Sequence, residues 1–471
     1  MAKDSKNIEE GAEWVNRFEA MLQGGNIGFF DLDSYEYIVQ HYIKNANFST
    51  AKRACELAME SYPYSPDLMI DYAHVLAHVG DLEKAMEIIE AAELLLPNDI
   101  DVVMVKSSLM AQANRYEEAI NYIQNAMELV DEKDELHFIL GITYQQWQKF
   151  EKAIAAYRKA LEINPLHEDA LYEMGVCLDI TNQDDLSIEC YKQYLDHNPY
   201  AQQAWYNLGI VYNKTMQFDL AIDAYEYAVA LQDNFPEAHF NLGNTYMNLL
   251  RFDDALKAYQ YTHTLETESN QISAETLVCI GVALEHKGLI EQAIKHYREA
   301  MRVDNEYSDA WYGVGTCLMR QEKFYESIHF FNKAVKLMPE NPMYWHGLAQ
   351  AEYKTGNIVS SIKAYSESCN LAPENPDTWI DWSLIYYEQG DLNMAIEIIS
   401  DAIDELPEEA DLYYYAVVYM FASGKFKEAF SILEKALLLD FDKHTLLYEF
   451  FPALEAQKAL AKIIDQYREN H

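Results

Sequence analysis

Ala204–Leu231 reads AWYNLGIVYNKTMQFDLAIDAYEYAVAL, and Ala310–Leu337 reads AWYGVGTCLMRQEKFYESIHFFNKAVKL. Each places Trp second, Gly sixth, then an Ala or Ser followed four residues on by an aromatic ring and after that by Ala. The Ala/Ser position recurs at Ala51, Ala85, Ala119, Ala153, Ser187, Ala221, Ala255, Ala293, Ser327, Ser361, Ala395 and Ala429. Successive steps are 34 residues, except for the 38 from Ala255 to Ala293. Self-similarity at such a period is the mark of a stacked repeat architecture.

Each unit is numbered 1 to 34 with that Ala/Ser at position 20, giving twelve units over residues 32–443. Proline then falls at position 32 (Pro63, Pro97, Pro165, Pro199, Pro339, Pro373, Pro407) or position 1 (Pro66, Pro236, Pro342, Pro376), with Pro452 alone outside the scheme. Inside a helix each would cost ~3 kcal/mol. At these two places it stops one helix and starts the next. The spacing predicts helix A over positions 1–14 and helix B over about 18–31. Small residues at 8, 20 and 27 let the helices approach, and large ones at 4, 7, 11, 17 and 24 fill the space between. One pair cannot bury its faces alone, so the units must stack.

Composition agrees. At 471 residues the chain is too long for one ordinary core. Half its residues are apolar, which excludes a disordered chain. Acids outnumber bases by 77 to 35, a formal charge of −42 that repels phosphate backbones and anionic lipid. Nucleic acid and membrane are therefore not expected as partners; the charge serves solubility or favours a basic partner. The longest apolar run, Tyr413–Ala422, is about half of a membrane span. The first residues, MAKDSKNIEEGAEW, lack the apolar core of a secretion signal. The six cysteines show no C-x-x-C pair. They read as small core residues in a reducing cytoplasm, and the acidic, Tyr- and Asn-rich composition fits a bacterial cytoplasmic protein.

The pattern W-x2-L-G-x2-Y…A-x3-F…P at period 34 resembles the tetratricopeptide repeat. The resemblance implies an all-α fold, a right-handed α-solenoid of antiparallel helix pairs. It also implies a function: a concave groove lined by the first helices, mostly at positions 2, 5, 6, 9, 12 and 13, that holds segments of other proteins. Read at those positions, the middle units offer Phe138, Ile142, Tyr172, Tyr206, Asn207, Ile210, Asn213, Lys214, Phe240, Asn241, Asn244 and Asn248 as candidate partner-binding residues. This is an aromatic and aliphatic strip edged by amides. Amides can pair with a guest backbone, and the rings suit an apolar guest. The alternative for the position-5 rings is packing between neighbouring units.

The resemblance also includes a variant that grips C-terminal carboxylates, with Lys at position 5. Here positions 2, 5, 6 and 9 carry no Lys or Arg in any unit, and position 2 is mostly acidic, as in Asp67, Asp169, Glu275 and Asp309. An apolar or basic segment is expected over an acidic tail. Position 12 turns aromatic late (Met319, Tyr353, Tyr387, Phe421), which suits either a second contact surface or packing against the C-terminal end.

No phosphate loop, G-x-S-x-G or H-E-x-x-H is present, so no enzyme and no cofactor are expected. Cys177 and Cys317 fall at position 10, a tight helix contact that disfavours a nucleophile. Asp71, His74 and His78 share one helical face with Asp67, and the two histidines have metal-ligand spacing. They read as a polar groove wall or, less simply, as a metal site. The function expected is a non-catalytic scaffold, or else a regulatory or assembly subunit docking a folded enzyme or complex.

The organisation follows. Residues 1–31 form an N-terminal cap with Ile8, Val15, Phe18 and Leu22 on one stripe, ended by Gly24-Gly25. Units 1–7 span 32–273, units 8–12 span 274–443, and 444–471 form a degenerate cap. In that cap His444–Phe451 reads as a shortened helix A, and Ala453–Glu469 as a helix turning Leu460, Ile463, Ile464 and Tyr467 inward. The four added residues fall in THTLETESNQISAETL, Thr262–Leu277, which lacks the usual Pro. Helix B is expected to run past Thr267 there, as a tolerated insertion or a hinge. The position-5 aromatic run ends at the same place, Phe240 being followed by Val278.

Overall fold

The computed structural model describes residues 2–23, 29–450 and 458–468, and every regular element among them is helical. Contacts divide the chain into two compact units, Met1–Asp233 with repeats 1–6 and Asn234–His471 with repeats 7–12. The 38-residue step thus lies inside the second unit. Each unit is a run of paired helices joined by tight turns.

The frame repeats with almost no drift. Helix A covers positions 1–13, as in Leu32–Lys44, Gln202–Lys214 and Ala410–Ala422, and helix B covers positions 17–30, as in Phe48–Ser61, Phe218–Leu231 and Phe426–Leu439. Helix B therefore starts and ends one residue before its expected bounds. All twelve Ala/Ser residues at position 20 are completely buried. The serines add hydrogen bonds that alanine lacks: Ser187 and Ser361 donate to the carbonyls of Gly175 and Ala349 at 2.8 Å.

Positions 8 and 24 trade volume. Tyr157, Tyr191, Tyr225, Tyr259, Tyr297 and Phe331 are buried at position 24, and each faces a position-8 glycine. A Cβ on Gly209 would stand 2.6 Å from the Tyr225 ring. Where position 24 shrinks to Cys55 or Leu433, position 8 grows to Val39 or Val417, and all four are buried.

The turn between helices A and B is left-handed at position 15 in all twelve repeats. Glycine takes it at Gly80, Gly288, Gly356, Gly390 and Gly424, but so do Ala46, Met216, Leu250 and others that lack glycine's freedom. Its hydrogen bonds are constant. In repeat 2 Val79, Gly80 and Asp81 donate back to the carbonyls of Val75, Ala77 and Leu76, a Schellman-type closure.

The insertion uses the same closure at a helix B. That helix runs Phe252–Glu268, 17 residues where the other full-length ones have 14. It ends as a helix A does: Asn270 is left-handed, and Ser269, Asn270 and Gln271 donate to Leu265, Thr267 and Glu266. The extra turn presents Glu266, whose carboxylate accepts from the Ser273 amide at 3.2 Å and the Thr276 hydroxyl at 2.7 Å. It thereby caps the next helix, Ala274–His286.

At the N-terminus the helix Ala2–Leu22 buries Val15 and Phe18, and Phe18 packs against Phe30 and Tyr42. Leu22 corrects the expected stripe: it is exposed, while the neighbouring Met21 packs against the core of the first repeats. The Ile8 side chain and Gly24-Gly25 lie outside the described residues. At the other end a 3-10 turn, Asp442–Thr445, leads into a short helix, Leu446–Phe450. The helix Lys458–Arg468 buries Leu460 and Ile464 with Ile463 and Tyr467 half-buried; residues 451–457 and Glu469 lie outside the described residues. Against this end the apolar helix A of repeat 12 is buried on most sides. Phe421, the last of the position-12 aromatics, packs on Phe426 and Phe430 and is internal.

Candidate protein-binding surface

Helix A side chains at positions 2, 5, 6, 9, 12 and 13 share one face, and its character changes along the chain. Repeats 4–6 lie in the first compact unit. The rings of Phe138, Tyr172 and Tyr206 are half-buried, each tilted about 6 Å from the position-24 tyrosine of its own repeat. Ile142 and Ile210 are half-buried beside them. The polar groups are largely committed within the fold. Asn207 donates to the Tyr172 hydroxyl at 2.9 Å and the Tyr191 hydroxyl at 3.3 Å, and accepts from Gln203. Lys214 bonds the Asp179 carbonyl and pairs with Asp179 and Asp184, the latter at 2.8 Å. Asn213 also has a partner.

In the second unit, Phe240 packs on Tyr259, Asn244 accepts from the Tyr259 hydroxyl at 2.7 Å, Asn241 is partnered, and Asn248 is exposed. The structure thus keeps every expected residue on the helix A face, but spends most of the amides and the lysine on neighbouring side chains.

Past Phe240 the surface opens. Repeats 8, 9 and 10 surround a concave pocket of about 660 Å³. Position 6 holds Cys279, Gly313 and Gly347, none with a bulky side chain. A Cβ on Gly313 would stand 2.5 Å from the Tyr297 ring, and one on Gly347 2.9 Å from the Phe331 ring. The glycines therefore admit those rings to the pocket floor. Val278, Val282 and Tyr312 form walls, and Glu275 and Asp309 stand exposed on the rim. Glu275 and Asp309 were expected as acidic position-2 residues of the groove, but the pocket between them was not; its sequence signal is the run of small residues at position 6.

Repeats 1–3 form a second pocket, of about 460 Å³, bordered by Glu36, Asp67, Asp71 and Asp101. Burial, reinforced by Asp67 and Asp101 against a hydrogen bond from Gln40, pushes the Asp71 carboxyl up to about 6. Burial likewise raises Glu36 and Asp101. The neighbouring histidines face each other, His74 Nε2 lying 3.2 Å from His78 Nε2, while the His78 ring stacks on Phe48 at 4.1 Å. Burial and then the His78 charge hold His74 below the usual histidine range. Among the described residues no group of three or more His, Cys, Asp or Glu could hold a metal ion.

Five of the six cysteines are buried, and Cys279 is half-buried at the pocket of repeats 8–10. Burial pushes Cys177 and Cys317 up to about 12, and the Cys177 thiol donates to Gln145.

The 34-residue repeat agrees with comparison to known families. Tetratricopeptide-repeat family models match residues 42–109, 135–166 and 203–235, and 308–341. The chain carries tetratricopeptide repeats, and its described residues form twelve helix pairs on that frame. Among solved structures, one crystal structure of MamA is 26% identical over 37% of this chain and 93% of that chain, with a TM-score of 0.35. A second MamA structure is 27% identical over 35% and 93%, with a TM-score of 0.33. The APC/C hetero-tetramer Cut9–Hcn1 is 13% identical over 91% and 94%, with a TM-score of 0.41. No curated protein matches. No described helix is long and apolar enough to cross a membrane.

Proposed function

We propose that this chain is a non-catalytic scaffold that holds a segment of a partner protein against its helix A surface. The observation that carries the reading is the repeats 8–10 pocket, where consecutive helix A faces combine apolar walls with a charged rim. Its size lies in the range of ligand sites, and a chain segment laid across successive helices can place one side chain in it. In this reading the helix A faces of repeats 4–6, through Phe138, Ile142, Tyr172, Tyr206 and Ile210, and separately Phe240 in the second unit, contribute apolar area more than free hydrogen-bonding groups. The acidic balance at position 2 favours an apolar or basic segment and disfavours nucleic acid and anionic lipid. The protonated cysteines suit a reducing cytoplasm.

A second reading, docking of a folded enzyme or complex, draws on the cleft of about 430 Å³ where Trp205, Leu208 and Tyr212 meet Leu220 and Tyr227. The Trp205 ring stacks on Tyr227 at 4.6 Å, leaving an apolar surface off the helix A face. Capture of partners from the source lysate with wild-type chain and with Val282→Arg, followed by peptide arrays tiling each captured protein, divides the readings. Scaffolding of a segment requires a captured protein that is lost on Val282→Arg and whose short peptides bind alone. Binding to folded protein only, unchanged by Val282→Arg, would overturn it.

A further inference from the structure

We propose that the pocket of repeats 8–10 is a receptor for a cationic side chain, an arginine or lysine carried by a partner segment. The proposal rests on the segment-binding reading above and adds the chemistry of the guest.

The charges around the pocket divide into those already compensated and those not. Glu285 is compensated: it pairs with Arg320 at 3.2 Å and accepts from the Tyr297 hydroxyl at 3.1 Å. His346 is held by Asp381, Thr378 and Gln350. His286 stacks on Phe252 at 4.7 Å. Asp309 takes one hydrogen bond from the Tyr344 hydroxyl and has no cation beside it among the described residues. Glu275 is exposed and forms no ion pair among the described residues. Two carboxylates at the mouth thus form no ion pair among the described residues, and Arg320, the one Arg or Lys among the described residues lining the pocket, is engaged with Glu285.

The walls add a second requirement. Tyr307 and Tyr312 are half-buried at the pocket, and the rings of Tyr297 and Phe331 floor it. Burial, then the charges of Glu275 and Asp309, push the Tyr307 phenol up to about 12, so both carboxylates act on this ring. Aromatic faces attract cations and let an alkyl stem pack. A purely apolar side chain would fill the floor and leave both carboxylates unanswered; an acidic one would be repelled. A basic side chain satisfies floor and rim together, with its stem on Val278 and Val282 and its charge between Glu275 and Asp309.

The test selects a random dodecapeptide library displayed on phage against the full chain, then measures synthetic versions of the enriched peptides on variants. Enriched peptides are expected to share an Arg or Lys. Their affinity should fall about tenfold on E275Q/D309N and on replacement of the basic residue by norleucine, and should weaken with added salt. Glu275→Gln alone removes a group whose side chain forms no hydrogen bond or ion pair among the described residues, so it reports on binding where the double variant disturbs Tyr344; a loss of several-fold is expected. Enriched peptides without a basic residue, or with affinity unchanged on Glu275→Gln and E275Q/D309N, would overturn the cation proposal and leave the groove reading standing. Failure to enrich any peptide would overturn both.

Discussion

Repeats 5 and 6 and repeats 8 to 10 share one helix frame and use the same face of helix A in opposite ways. In the former, Asn207 donates to the hydroxyls of Tyr172 and Tyr191 across the repeat junction, and Lys214 closes on Asp179 and Asp184. In the latter, Cys279, Gly313 and Gly347 leave space, and Glu275 keeps an open charge. A position in the repeat therefore fixes where a side chain points, and the neighbouring repeat decides whether its polar atoms remain available. Variants on the two sides should behave differently, and the contrast can be broken by measurement.

The largest effect should be common to both regions, because it concerns the shared frame. Tyr225→Ala and Tyr297→Ala each remove a buried ring facing a glycine and should cost about 3–5 kcal/mol. Denaturant unfolding followed by hydrogen exchange within each repeat would measure it. A cost under 1 kcal/mol at either site would mean that the ring–glycine contact is not what holds the pair together.

Next comes the contrast itself. Asn207→Ala strips a donor from two tyrosine hydroxyls and should destabilise repeats 5 and 6 by about 1–2 kcal/mol. Glu275→Gln should change stability by less than about 0.5 kcal/mol. If thermal unfolding ranked them the other way, the division into internal strip and open pocket would fall.

The repeat register was legible because the buried Ala/Ser marks it twelve times and eleven prolines fall in step with it. The pocket was not, because a search for large groove residues passes over Gly313 and Gly347, whose effect is to admit rings from Tyr297 and Phe331 one repeat earlier. The fate of Asn207 and Lys214 was equally hidden: their partners Tyr172 and Asp179 lie 35 residues back, in the preceding repeat. The left-handed turn at Ala46, Met216 and Leu250 left no local signal either, since stacking imposes a conformation these residues do not choose. The insertion was half legible. The four added residues foretold a longer helix, which missing proline alone does not give, since the helices ending at Leu231 and Val303 also lack it; the contacts of Glu266 depend on where the added turn lands.

A third, charge-controlled contrast concerns repeats 1–3. Asp71 stands near Gln40, His74, Glu36, Asp67 and Asp101, with its carboxyl raised to about 6 from an ordinary value of 3.8. A raised carboxyl binds protons more tightly in the folded than in the unfolded chain, so its contribution favours folding below about pH 4 and is lost as pH rises through 6. Asp71→Asn should therefore stabilise the first unit at pH 7.5, by about 1–2 kcal/mol after allowance for solvent screening, and make little difference at pH 4. Melting at the two pH values checks the sign. A variant equally stabilised at both would show that packing, not charge, sets the effect.

The smallest effect tests whether the frame is the same on both sides of the division at Asp233 and Asn234. Met216 in repeat 6 and Leu250 in repeat 7 hold φ of 58° and 57°, and both side chains are largely exposed. Neither gains packing that offsets the left-handed backbone, which costs a non-glycine residue roughly 1–2 kcal/mol. Glycine removes that strain but loses more freedom on folding, so Met216→Gly and Leu250→Gly should each stabilise by only about 0.5–1 kcal/mol. Gly288 offers the reverse test: its φ is 74° with no heavy atom within 4 Å of an added Cβ, so Gly288→Ala should lose stability through the backbone alone. Equal gains in the two repeats and a matching loss at Gly288 would make the turn a property of the frame. A gain in one repeat only would show that stacking relieves the strain differently in the two units.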